Sequence, residues 1–216
     1  MGDREIDTLI DRFIRHIESD KNQRKKMFWA PEDQVSRDLF SRRTPRELNE
    51  LERIPVAVGP LNSLFAKIFS FSLKQLYNDP RSWLCNYLKI YLYRMENIPE
   101  DMYFEKELPL YLGPHLPWTL YGVKSFYFDD REPELDQASP ILANKEDLHK
   151  LQAPDFYESG IMPLVHTMYQ DVAELLNGRL KLIFPGFSKL FKRISTLKHQ
   201  NSERQIPFMP INGMNL

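Results

Sequence analysis

Glu105 and Glu107 are the first groups in this chain spaced to do chemistry together. They follow the apolar run Met102-Tyr-Phe104, and on a strand residues two apart point to one side. Facing a cleft, two close carboxylates share or transfer a proton. Facing water, they are a solvated edge, and spacing alone favours that second arrangement. His115 stands in Leu112-Gly-Pro-His-Leu-Pro-Trp118, a loop sequence rich in breakers beside an aromatic residue. It is the functional candidate among five histidines, although loops hold many idle ones. His166 lies within an amphipathic helical pattern and reads as structural. No two histidines are spaced His-x-x-x-His, the arrangement that turns two imidazoles along one helix face.

Other chemistries lack their signatures. There is no Gly-x-Gly-x-x-Gly, no Walker-type loop and no Gly-x-Ser-x-Gly elbow. Cys85 is the single cysteine, so neither an intramolecular disulfide nor a multi-thiolate zinc site is available. Lys21, Arg24, Lys25, Lys26, Arg37, Arg42, Arg43 and Arg46 form a basic zone, but interleaved acids make it a solvated surface.

The elements that must position these groups follow from hydrophobic period. Ile6, Leu9, Ile10, Phe13, Ile14 and Ile17 predict an amphipathic helix over 3–19. A short helix is predicted over 33–40. Another follows Thr44-Pro45, with Glu47 as capping-box partner. Arg53 to Pro60 reads as a buried strand closed by Gly-Pro, and Leu61 to Leu76 as one wide-faced helix. Asp79-Pro80 caps a further helix to about Glu96. Strands are predicted at Met102–Phe104, Val123–Phe128 and Leu180–Phe184. An acidic loop spans 129–139, a short helix runs from Asn144 to Leu151, and a long one covers Met162–Leu176. The alternation suggests an α/β chain with about three parallel strands. Such an open set leaves an edge for self-association.

The sequence has 216 residues, with 29 basic and 30 acidic side chains. This balance argues against a nucleic-acid partner. No apolar run approaches the ~20 residues of a membrane span. The start, MGDREIDTLIDRF, is unlike a signal peptide, so a cytoplasmic location is expected. Charge is uneven: residues 1–178 carry a net −7 and residues 179–216 a net +6. In the basic part, Phe187, Leu190, Phe191, Ile194 and Leu197 have the period of an amphipathic helix. That helix either closes the fold or meets a membrane surface or partner.

Several motifs, in order, resemble the uroporphyrinogen decarboxylase superfamily. Gln75-Leu-Tyr-Asn-Asp-Pro80 resembles its Tyr-x-Asp-Pro helix start. Pro140 to Leu151 resembles its Pro-Ile…Glu-Asp-Leu…Leu segment. Ala153-Pro-Asp-Phe156 and Ser159-Gly-Ile-Met-Pro163 resemble the turn and helix entry that follow. Leu180–Phe184 with Pro185-Gly-Phe187 falls at its next strand, and Arg24–Trp29 with Ile54-Pro-Val56 fits the opening. The resemblance spans roughly residues 20–187.

It implies an incomplete TIM (β/α)8 barrel with N-terminal helices and about three parallel strands, the active site lying at strand C-termini. The implied division is an N-terminal helical extension 1–53, a partial barrel 54–187 and a basic atypical tail 188–216. True decarboxylases of the family carry Arg-Gln-Ala-Gly-Arg after the first strand. Gly59-Pro-Leu-Asn-Ser63 stands there instead, so substrate binding falls to Asn62 with His115, and catalysis to Glu105 and Glu107. The resemblance is closer to the corrinoid-dependent methyltransferases. Their zinc and cobamide chemistry uses a His-x-Cys and a distant Cys that have no counterparts here, so no metal or cofactor is expected in this chain. The expectation is a truncated family member, inactive as an isolated chain. Its intact relatives act with small-molecule or corrinoid-protein partners. A porphyrinogen decarboxylase-like lyase and a non-catalytic partial barrel that binds a protein partner are the alternatives.

Overall fold

In the computed structural model, which describes residues 2–29, 46–138 and 140–184, the chain starts with helix α1 (Asp3–Glu18). Its apolar stripe Ile6, Ile10, Phe13 and Ile17 is buried, while Asp3 and Glu5 complement the positive end of the helix dipole. Ser19 then caps the short α2 (Asp20–Lys25), its hydroxyl accepting from the Asn22 amide. The predicted helix at 33–40 and the amphipathic segment beyond Phe187 lie outside the described residues, which all fall in one compact unit ending at Pro185.

The stripe of α1 packs against α5 (Pro80–Asn97), the central helix. Asp79 caps α5 by accepting from the Ser82 amide at 2.6 Å, and Pro80 occupies its first turn. Trp83, Leu84, Tyr87, Leu88, Tyr91 and Leu92 are buried on several sides, because α1, α4 (Leu73–Asn78) and α7 (Met162–Leu176) all pack on this helix.

The single helix predicted over Leu61–Leu76 is two helices, α3 (Asn62–Phe69) and α4 (Leu73–Asn78). The break falls at Ser70, in the left-handed region at φ 56°. The Ser70 and Phe71 amides both return to the Ala66 carbonyl, a helix-ending arrangement, and the Ser72 hydroxyl caps α4.

An incomplete barrel with about three parallel strands is overturned. Among the described residues there are two small sheets of two strands each. β1 (Glu107–Pro109) runs parallel to β4 (Lys181–Ile183), in register Glu107↔Lys181, Leu108↔Leu182 and Pro109↔Ile183. β2 (Ser125–Phe126) is antiparallel to β3 (Glu134–Leu135). Between the parallel strands lie the four-residue α6 (Leu116–Thr119) and α7 (Met162–Leu176), which packs on both α5 and β4.

Two predicted strands fail for a shared physical reason: side chains take up their backbone groups. In Arg53–Pro60 the Val56 amide donates to Asp101 Oδ2 at 2.8 Å and the Val58 amide to Glu100 Oε2 at 3.1 Å. Ile54, Val56 and Val58 are exposed there, not buried. At Met102–Phe104 the Asn22 amide group plays the neighbouring strand, its Oδ1 accepting from the Phe104 N–H and its Nδ2 donating to the Phe104 carbonyl, each at 2.9 Å. The third, Val123–Phe128, shrinks to β2, which pairs with β3 inside the segment 129–139 predicted as an acidic loop. No helix among the described residues is long and apolar enough to cross a membrane.

Candidate functional site

The four candidate residues separate into two places. Glu107 opens β1, and its Oε1 accepts from the Nζ of Lys181, its cross-strand partner, at 2.9 Å. Glu105 precedes the strand and lies 3.6 Å from Lys26 Nζ. Each carboxylate therefore faces a lysine of a different element.

Asn62 and His115 are brought together through the segment Glu132-Pro133. Asn62 is the first residue of α3 and only 2% exposed. Its Nδ2 donates to the Tyr77 hydroxyl at 2.9 Å and to the Tyr87 hydroxyl at 3.3 Å. The Tyr77 hydroxyl donates onward to Glu132 Oε2 at 2.7 Å. Glu132 Oε1 accepts the Ser63 amide at the start of α3, where the helix dipole favours a carboxylate. His115 Nε2 lies 2.8 Å from the Pro133 carbonyl oxygen. A carbonyl only accepts, so Nε2 carries the proton and donates.

Aromatic rings wall this second place. Tyr77 lies 6.4 Å from Tyr111 and 5.8 Å from Tyr127, and Trp83 stacks on Tyr87 at 4.6 Å. The Tyr87 hydroxyl donates to the Tyr111 carbonyl at 3.3 Å. Burial, reinforced by the Glu132 charge, pushes the Tyr77 hydroxyl far above the usual phenol range. Burial does the same to Tyr87. Both rings thus hold their protons and serve as hydrogen-bond donors, not bases.

Sequence reasoning missed Tyr77, Tyr87 and Glu132. The tyrosines stand within apolar helical patterns and read as core. Glu132 sits in an acidic loop that reads as solvated, and only the Pro133 after it hints at a fixed turn. A second missed feature is the ion pair of Arg94 and Glu100, whose side chains are 2% and 0% exposed. Arg94 Nε and Nη2 each donate to Glu100 at 2.9 Å, and Nη2 also reaches the Val58 carbonyl. Next to it, Arg53 grips Asp101 with two bonds of 2.6 Å. That guanidinium, aided by the Val56 amide, holds the Asp101 carboxyl below the usual aspartate range.

Cys85 is buried on α5, and burial raises its thiol, the reverse of what a thiolate ligand or nucleophile needs. Among the described residues no three His, Cys, Asp or Glu side chains gather to hold a metal ion. No family model, no curated protein and no solved structure matches this chain.

Proposed function

We propose that this chain is a relative of the uroporphyrinogen decarboxylase superfamily, on the side of the corrinoid-dependent methyltransferases, and that it performs no turnover as an isolated polypeptide. The observation that carries this is the division of its candidate groups. Glu105 and Glu107 are engaged by Lys26 and Lys181, while Asn62 and His115 are held through Glu132 and Pro133. General acid–base chemistry needs its groups within hydrogen-bond reach of one reacting atom. The order of motifs from Arg24 to Phe187 supports the relation. Zinc chemistry does not fit, because Cys85 is enclosed in the helical core and its thiol is held protonated.

The test is an anaerobic assay of the purified polypeptide with a methylcobamide and a thiol, and separately with a porphyrinogen. The expected result is no product above the protein-free blank in either. Turnover that disappears on Glu107→Gln would contradict the reading.

A second reading, a partner-binding role, is favoured by one observation. Residues 54–68 carry six exposed aliphatic side chains: Ile54, Val56, Val58, Leu61, Leu64 and Ile68. Replacing Ile54, Leu61 and Leu64 by Ser, followed by light scattering, addresses it. Association that survives these changes removes this reading.

A further inference from the structure

We propose that residues 54–60 form an open strand edge on which the same segment of a second copy of this chain pairs antiparallel, about a twofold axis at Ala57. This rests on the partner-binding reading of residues 54–68 and names the partner and the mode of contact.

The hydrogen bonds of this segment alternate along the chain. The Val56 N–H donates to Asp101 Oδ2, and the Val56 carbonyl accepts the Asp101 N–H at 2.7 Å. The Val58 N–H donates to Glu100 Oε2, and the Val58 carbonyl accepts from Arg94 Nη2 at 2.9 Å. The Ile54 carbonyl accepts from Arg53 Nη1. In an extended chain the N–H and C=O of one residue point to one edge, and those of the next residue to the other. Residues 54, 56 and 58 therefore spend their edge on the body of the chain, and Pro55, Ala57 and Gly59 turn theirs outward. Among the described residues nothing meets the Pro55 carbonyl, either backbone group of Ala57 or the Gly59 N–H, and Ala57 and Gly59 are exposed. An unpaired edge of this kind is a template for a further strand.

The groups on that edge fit their own copy. With Ala57 opposite Ala57, each Ala57 N–H donates to the other's carbonyl, and each Gly59 N–H donates to the Pro55 carbonyl across from it. Only the Gly59 carbonyl, opposite the N–H that proline lacks, stays with water. In the same register Val56 stands opposite Val58 of the copy in a non-hydrogen-bonded pair, where side chains are closest and β-branched pairs stabilise. Val56 and Val58 are 51% and 37% exposed in the single chain. No residue from 54 to 60 is charged, so no like charges oppose each other. Glu50 and Glu52 of each copy run toward α3 of the other, where Lys67 is exposed and forms no ion pair among the described residues. Water satisfies open backbone groups but not the aliphatic face beside them, and strand pairing serves both.

Sedimentation equilibrium of the full-length chain is expected to show a reversible dimer whose population rises with concentration, as a small contact gives. Amide hydrogen exchange followed by NMR locates the contact. Ala57 and Gly59 should slow about tenfold or more as the dimer fills, while Val56 and Val58, already bonded, change little. Ala57→Pro removes the central N–H but keeps the apolar surface, and should raise the dimer's dissociation constant about tenfold or more. If that variant does not fold, the exchange measurement on the unaltered chain decides. A chain that stays monomeric at every concentration, or a dimer in which Ala57 and Gly59 exchange at the monomer's rate, would overturn the proposal. Association that is lost with the serine changes above, yet leaves these two amides fast, would keep the apolar surface and overturn the strand pairing. Association that survives the serine changes removes the surface as well, so the two failures are distinguishable.

Discussion

Helix α5 and the parallel pair β1–β4 are stabilised in different ways. Around α5, apolar side chains from α1, α4 and α7 converge, and Trp83, Leu84, Tyr87 and Leu88 are fully buried. The pair β1–β4 has three residues on each strand and little ladder to share. What fixes the chain near it is side chain on backbone: Asn22 on Phe104, Asp101 on Val56, and Glu100 with Arg94 on Val58. Where strand pairing is short, buried polar side chains take over as the neighbours that satisfy the backbone. Exposed charges on the helices should therefore be tolerant of loss, and the buried charges that hold the extended segments, Arg94 of α5 among them, should not.

The largest effect expected follows from that contrast. Arg94→Ala leaves Glu100 as a buried, unpaired charge and should cost about 3–5 kcal/mol, measured by urea unfolding. The double change Arg94→Met with Glu100→Leu should recover much of the loss. If Arg94→Ala costs no more than an exposed-pair variant, the contrast fails. Gly160→Ala comes next. Gly160 is left-handed at φ 59°, and a Cβ there would lie 2.4 Å from the Thr119 carbonyl oxygen. The backbone conformation alone costs a non-glycine residue about 1–2 kcal/mol, and the clash adds to it. Unchanged thermal stability of this variant would contradict the close approach of α6 to the start of α7.

Asp79→Ala removes the cap of α5 and should cost about 1 kcal/mol, read from the same denaturation curves. The smallest effect belongs to the exposed charges that bind α1. Arg179 pairs with Asp7 and Asp11 of that helix, and Arg179→Ala should cost at most ~1 kcal/mol and lose its effect at high salt. A pH series separates the regions further. Because Asp101 titrates lower folded than unfolded, its stabilisation is complete above its unfolded pKa. It is lost as pH falls through the lower folded value. Arg53→Gln should flatten that acid limb, and an unaltered limb would show that the pair contributes nothing to it.

Helices with a clean apolar period were legible in the sequence. α1, α5 and α7 fall where Ile6–Ile17, Asp79-Pro80 and Met162–Leu176 place them. β4 was legible too, as an apolar run between breakers. The two strands that do not form share one cause. Arg53–Pro60 and Met102–Phe104 have strand composition, but their hydrogen-bond partners are side chains distant in sequence, and no local period reveals that. An arginine in a helix and a glutamate after a proline give no hint of mutual burial, so Arg94–Glu100 was invisible. At the candidate site, Asn62 and His115 are joined through Glu132-Pro133, a loop residue pair read only as acidic linker. Glu105 and Glu107 were correctly spaced for one side of a strand, but the strand begins only at Glu107, and lysines face both.

The separation of the two sets of groups is tested most directly by a double-mutant cycle on stability between Glu107→Gln and Glu132→Gln. Independent centres give effects that add to within about 0.5 kcal/mol, which is the expected result. A coupling energy well above that, of the ~1–3 kcal/mol that groups in one network show, would place both carboxylates in a single site and contradict the division.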